Sequence, residues 1–333
     1  MRGFNIAFAV ILLLAACETQ AAGIGRIKIE ASAAGPEIAG VVWYPCATPA
    51  QDDRSDDIAL SGVKGCALVG GRLPLIVISH GRRGWFGGHH DTAAALADAG
   101  FVVAAISHPK DNGPDHSGTD SLEVLAGRSG DIKRLVDFML GAWPDSAHID
   151  GARVGLFGFS VGGYTGLVVI GGNPDFHKGH PRCARSDLRV LPVCGQLENG
   201  ELPSEAPAHD PRINAAVIVD PWPEFLLSAD RLTNVTIPVQ LWSSDPALNA
   251  DGLSGCCAAT IQERLPSKPE WHFVDNAKHL SFLAVCSPKE AQDDPRGCTD
   301  APGFDRVAFH QKFHAEVIAF FRTYLVENQP QSR

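Results

Sequence analysis

The chain has 333 residues, 45% of them hydrophobic and 20% charged, with a formal net charge of −10. That length and apolar content suit one large α/β core rather than two small ones. The acidic balance and the lack of a long Lys/Arg run exclude a surface built to neutralise a row of phosphates, and with it a nucleic-acid partner.

Arg2 precedes an apolar run over residues 6–16, too short to span a bilayer comfortably and of the right length for the core of a signal peptide over residues 1–16. The run ends in Leu14-Ala15-Ala16-Cys17, which resembles the bacterial lipobox. That resemblance implies cleavage before Cys17, lipidation of its thiol, a tether over 17–25 and contact with the membrane through the anchor. Glu18 in place of Asp points to sorting to the outer membrane, facing the periplasm. The alternative is a plain signal peptide cut near residues 19–21, leaving a soluble periplasmic or secreted chain. Either way the mature chain is expected outside the cytoplasm. Nine cysteines less Cys17 leave an even number for an oxidising compartment. The simplest local pairing joins Cys46 to Cys66, Cys183 to Cys194 and Cys286 to Cys298, with Cys256 and Cys257 bonded to each other or engaged elsewhere.

Along the expected domain, residues 26–328, segments 26–31 and 37–44 read as an antiparallel pair at a sheet edge, followed by an acidic loop over 51–57. The continuous apolar run 73–79 marks a strand buried on both faces. A helix over 92–99 closed by Gly100, a strand over 101–106 and a helix over 122–140 follow. Further strands are expected at 154–159, 215–219, 237–242 and 271–274, a helix at 164–170 and a terminal amphipathic helix at 307–325. Such alternation implies a mostly parallel, doubly wound sheet with helices on both faces. Residues 171–212 break the rhythm: little periodicity, several prolines, two cysteines and His177, His180 and His209. A loop this long reads as a lid-like insertion ordered by the Cys183–Cys194 pair. His177-x-x-His180 has no carboxylate partner at metal-site spacing and the cysteines form no paired Cys-x-x-Cys, so no metal is expected. His310 and His314 fall inside the terminal helix and read as solvated or packed.

Gly158-Phe159-Ser160-Val161-Gly162 follows an apolar strand and precedes a helix-compatible stretch, the pattern of a nucleophile elbow. A serine hydroxyl is a poor nucleophile near neutral pH and needs an imidazole base, itself oriented by a carboxylate. In the order Ser, acid, His, the base falls on the loop after the last strand, which places His279 there. Asp220 and Asp245 each end a strand that reaches the same carboxyl edge, and both are candidates for the acid. The Val161 N–H, next after the serine, supplies one oxyanion donor. Trp85 and Phe86, in a Gly-rich loop, either wall an acyl or leaving group or pack under that loop. Phe159 and Trp222 flank the nucleophile and the acid as further candidate substrate contacts.

These residues give a resemblance to the bacterial relatives of plasma platelet-activating-factor acetylhydrolase, also termed dienelactone-hydrolase-like, within the α/β-hydrolase superfamily. It covers most of residues 37–325 and rests on Ser79-His80-Gly81, Gly158-Phe159-Ser160-Val161-Gly162-Gly163, Asp220-Pro221-Trp222 and His279-Leu280-Ser281-Phe282-Leu283. It implies the α/β-hydrolase fold, the Arg82 N–H as second oxyanion donor, and an Asp-x-Trp corner that maps the acid onto Asp220. Generic α/β-hydrolase order favours the later strand, hence Asp245, and related bacterial polyester hydrolases take the acid from there; the balance leans narrowly to Asp220, with Asp245 the competitor. Phe159, where relatives more often have histidine or tryptophan, and the long insertion leave substrate preference open. True dienelactone hydrolases use a cysteine nucleophile, so that activity is not expected. The expected function is an exported serine esterase acting on short-acyl lipids or other small esters, without metal or cofactor. The alternatives are a non-catalytic envelope lipoprotein using the scaffold for binding, and a peptidase or amidase of the same fold.

Overall fold

A computed structural model describes residues 22–47, 60, 62–184, 191–248 and 257–327. The signal peptide, Cys17, the acidic loop, Cys256 and residues 185–190 of the insertion lie outside the described residues.

Nine strands form one sheet: β1 (Gly23–Ile29), β2 (Ile38–Tyr44), β3 (Val63–Lys64), β4 (Leu73–Ser79), β5 (Val102–Ile106), β6 (Ile149–Phe159), β7 (Ile213–Val219), β8 (Val239–Ser243) and β9 (Glu270–Phe273). Their order across the sheet is β3-β1-β2-β5-β4-β6-β7-β8-β9. β1 with β2 and β2 with β5 are antiparallel, and the remaining pairs are parallel. Gly23, Ile24 and Gly25, read above as tether, already belong to β1, paired with Tyr44, Trp43 and Val42. Two glycines in three residues carry no strand propensity, so cross-strand pairing alone reveals them.

The helices are α1 (His90–Asp98), α2 (Leu122–Gly141), α3 (Val161–Val169), α4 (Pro192–Asn199), α5 (Ala258–Arg264), α6 (Pro288–Asp293), α7 (Pro295–Cys298) and α8 (Arg306–Arg322). The central strands are apolar throughout because both faces are covered. Leu75 and Val77 of β4 pack with α2, α3, α4 and α5 on one side, while Ile76 and Ile78 pack with α1 and α8 on the other. Each such side chain, wholly removed from water, contributes about 1.5–3 kcal/mol. Ser121 caps α2 through the Val124 N–H at 3.3 Å, and Asp305 caps α8 through the Ala308 N–H at 3.0 Å.

Cys46–Cys66, Cys183–Cys194 and Cys286–Cys298 are disulfides, and Cys257 is disulfide-bonded as well. The insertion is not without structure. The Cys183–Cys194 bond joins a short 3-10 turn (Pro181–Ala184) to α4. Parallel strands β4, β6, β7, β8 and β9 all end at the same carboxyl edge, and the loops leaving that edge carry the residues singled out above.

Candidate active site

The chain turns sharply between β6 and α3. Ser160, at φ 56° and ψ −119°, sits in a backbone region that L-residues rarely occupy. Its strain is held by backbone bonds: the Ser160 N–H donates to the Val219 carbonyl at 2.8 Å, and the Ser160 carbonyl accepts from the Trp222 N–H at 3.1 Å. A Cβ on Gly162 would overlap the Ser79 carbonyl, and one on Gly158 would overlap the Gly162 carbonyl. Gly163 adds a third close approach, since a Cβ there would lie 3.0 Å from Pro221 Cα.

Asp220 follows β7 at φ 42° and is 1% exposed. Its Oδ2 lies 3.0 Å from His279 Nδ1, and its Oδ1 accepts the Ser244 N–H at 2.9 Å. An ionised carboxylate only accepts, so His279 Nδ1 carries the proton and Nε2 keeps its lone pair. The His279 ring is stacked on Phe159, centroids 4.6 Å apart at 27°. Its 3-10 turn (His279–Phe282) is locked by the Lys278 N–H donating to Ser281 Oγ at 3.1 Å and by Ser281 Oγ donating to Asp300 at 2.6 Å. Asp245 shapes its own turn: Oδ1 accepts the Ala247 N–H at 2.9 Å, and the Asp245 N–H donates to the Ala277 carbonyl at 2.9 Å.

Ser160, His279, Phe159, Trp222, Arg82 and Trp85 line one cavity of about 760 Å³, to which the insertion contributes Leu191 and Pro192. Phe86 does not line it. Its ring lies under the Arg26 guanidinium at 5.4 Å, and with Trp85 it walls a neighbouring cavity of about 790 Å³. The two rings meet edge to face, centroids 5.1 Å apart, with Trp85 between the two cavities, an arrangement that the sequence pattern does not sort. Among the described residues, neither the Arg82 nor the Val161 backbone N–H has an acceptor, and Val161 opens α3, where the helix dipole is positive.

Arg128 and Asp111, 1% exposed each, were not singled out from sequence. Arg128 Nη1 pairs with Asp111 Oδ2 at 2.6 Å, Nε donates to Thr165 Oγ1 at 3.1 Å, and Nη2 donates to the His80 carbonyl. Asp111 Oδ1 accepts the Arg83 N–H at 3.1 Å. The carbonyl two residues before Arg82 and the N–H one residue after it are thus tied to one buried ion pair, while the Arg82 side chain is drawn to Asp120 at 2.6 Å. His80 Nε2 accepts the His108 N–H at 3.0 Å, so its proton is on Nδ1, which donates to the Gly81 carbonyl at 2.6 Å. Burial, then the Arg128 cation, holds the His80 pKa well below its ordinary value. Burial likewise pushes Asp131 up to about 7 and His108 well down, so below about pH 7 the proton of this pair, 3.0 Å apart, rests on the carboxyl. The only sequence signal for this network is a lone Arg on the apolar face of α2.

A mostly parallel nine-strand sheet, helices on both faces and a serine at the turn after the central β6 define the α/β-hydrolase fold. The fold is shared with a ferulic acid esterase from Streptomyces cinnamoneus, with a TM-score of 0.60 over 96% of this chain and 95% of that one, at 18% identity. By sequence, a stretch of 105 residues is 32% identical to a protein of Bradyrhizobium sp. described as a probable 2-oxo-3-(5-oxofuran-2-ylidene)propanoate lactonase. That stretch is 31% of this chain and 42% of the relative, so the chain matches under half of the relative's length. No protein-family model matches the chain.

Proposed function

We propose that this chain is a serine hydrolase of carboxylic esters, exported and lipid-anchored through Cys17, with Ser160 as nucleophile, His279 as base and Asp220 as the acid. The observation that carries this reading is the 3.0 Å bond from His279 Nδ1 to Asp220, which puts the ring proton on Nδ1 and the lone pair on Nε2 of a ring that shares a cavity with a serine held at a strained elbow. His279 Nε2 takes the Ser160 proton as Oγ attacks the ester carbonyl. The carbonyl oxygen becomes an oxyanion and accepts from the Arg82 and Val161 N–H groups. Collapse expels the alcohol, which receives its proton from His279; water, deprotonated by the same ring, then releases the acid and restores Ser160. Trp85, Phe159 and Trp222 offer aromatic walls for the apolar part of a small or short-acyl ester. No metal or cofactor takes part in these steps.

A lactone is an internal ester and opens by the same attack. The stretch shared with the Bradyrhizobium protein favours including one among the substrates tested. The deciding experiment is hydrolysis of p-nitrophenyl esters from acetate to palmitate, plus a γ-lactone, by the mature chain and by Ser160→Ala. Activity in the wild type that is lost in the folded variant supports the reading, and the series reports acyl preference. Silence from both proteins on every substrate would favour a non-catalytic binding module.

A further inference from the structure

Away from the Ser160 cavity, α1 and α8 bring Asp91, His310 and His314 together, with one donor atom from each within 4.8 Å of the others. His310 and His314 are one helical turn apart, so they share a face of α8. His310 is 2% exposed. Its Nε2 lies 2.9 Å from the Ser281 carbonyl oxygen, which only accepts, so Nε2 carries a proton and donates it. In the neutral ring the lone pair is therefore on Nδ1, and this atom faces Asp91 Oδ2 at 2.8 Å. The two atoms are close enough to form an ion pair when the ring is protonated, but in the neutral ring Nδ1 is a buried polar atom without a hydrogen-bonding partner. A nitrogen lone pair against a carboxylate oxygen is repulsive unless positive charge lies beside both. A proton would sit on the line between them, whereas a cation bound from the side satisfies both lone pairs. His314 Nε2, 3.0 Å from the Thr92 hydroxyl, lies beside the same carboxylate, 3.9 Å from Oδ1.

We propose that Asp91, His310 and His314 form a site for a divalent transition-metal ion of the zinc type that braces the loop carrying His279. Two imidazole nitrogens and one carboxylate suit zinc, with water completing four-fold coordination, and do not suit magnesium or calcium, which take oxygen donors. The surroundings match what a ligand needs. A metal-binding histidine donates its other N–H to a fixed acceptor, as His310 does to Ser281, and the carboxylate is oriented by the Thr92 N–H at 2.7 Å and the Val285 N–H at 3.2 Å. Ser281 and Val285 flank the end of the His279 turn, so one ion would tie α1, α8 and that loop together.

The site is tested on the purified mature chain after EDTA treatment and buffer exchange, by calorimetric titration with Zn²⁺ and by thermal unfolding with Zn²⁺ or Mg²⁺. The expected result is one zinc per chain at saturation, a Tm that rises with Zn²⁺ and not with Mg²⁺, and affinity lowered roughly tenfold or more in His314→Gln and in Asp91→Asn. The half-exposed pair His177 and His180 provides the control, since changing both to Gln leaves the affinity intact. His314 is only partly buried and Asp91→Asn keeps the side chain's shape, so at least one variant stays folded, as checked by circular dichroism. Absence of saturable zinc binding in the wild type, or wild-type affinity in both site variants, would overturn the proposal. Loss of binding on changing His177 and His180 would do the same. None of these readouts depends on esterase activity.

Discussion

Asp220 and Asp245 end neighbouring strands, yet their carboxylates do different work. Asp220 has one oxygen on the Ser244 N–H and the other on His279, whereas Asp245 closes the turn that follows β8. In Asp220→Asn the Ser244 N–H still requires an acceptor, so the amide must turn its oxygen there and its NH₂ toward His279 Nδ1. A donor facing Nδ1 forces the proton onto Nε2 and removes the base. We expect kcat for ester hydrolysis to fall by about 10³–10⁴ with KM little changed, by analogy with the same substitution in other triads. Asp245→Asn should lose less than about tenfold, as expected for a residue outside the chemistry. A steady-state comparison of the two variants decides between them, and a larger loss at Asp245 would reassign the acid. The serine elbow and the histidine loop were legible because glycine sterics and chain order constrain them tightly. Which carboxylate meets His279 was not, since both candidates stand at the same sheet edge and only side-chain bonds tell them apart.

At the scale of elements, the buried strands were legible because a run covered on both faces has no polar positions to confuse it. The insertion was harder to read because docking and a crosslink hold it, not periodicity. Even so, α4 has Pro192 in its first turn and Gly200, at φ 74°, just past its end, a pair of helix punctuation marks that was overlooked. The insertion is fastened to α2, where the Leu122 N–H donates to Gln196 at 2.9 Å and the Ala208 N–H donates to Ser129 at 2.8 Å. It is fastened also to the segment after β7, through Arg182 and Glu224 at 3.1 Å. Cys183 and Cys194 are 11 residues apart, and a crosslink closing a loop of that size stabilises by about 3 kcal/mol in the chain-entropy account. Replacing both with Ser should lower the unfolding free energy by roughly that amount in urea titration. Because Leu191 and Pro192 line the cavity, KM should rise more than kcat falls; an unchanged KM would mean the insertion shapes no part of substrate binding.

For the whole molecule, His80 sets a pH dependence of stability. It is buried and neutral in the folded chain, with its pKa held well below the ordinary value, while in the unfolded chain it takes up a proton near pH 6.5. Below that pH the unfolded state binds the extra proton, so this contribution to stability is full above about pH 6.5 and lost as pH falls, at up to about 1.4 kcal/mol per pH unit. In the His108–Asp131 pair the two shifts offset one another, because the proton that the unfolded chain holds on the imidazole is held on the carboxyl in the folded one. Unfolding by urea at pH 7.5, 6.0 and 5.0 should show a dependence that flattens by about one proton in His80→Gln; an unaltered slope would place the acid sensitivity elsewhere. Buried charges such as Arg128 and Asp111 escaped the sequence reading for a related reason: in a sequence they look like surface residues, and only the fold reveals what they clamp. The elbow has a consequence for how such a chain can change over time. Ser160 exchanges backbone bonds with Val219 and Trp222, the residues either side of Asp220-Pro221, so the serine and its neighbouring acid move as one body. Trp85, Leu191 and Pro192 come from other segments and share none of those bonds. The walls of the cavity can therefore be exchanged for new shapes without disturbing that rigid corner, and Trp222, which is wall and tie at once, is the position where a new preference would be hardest to evolve.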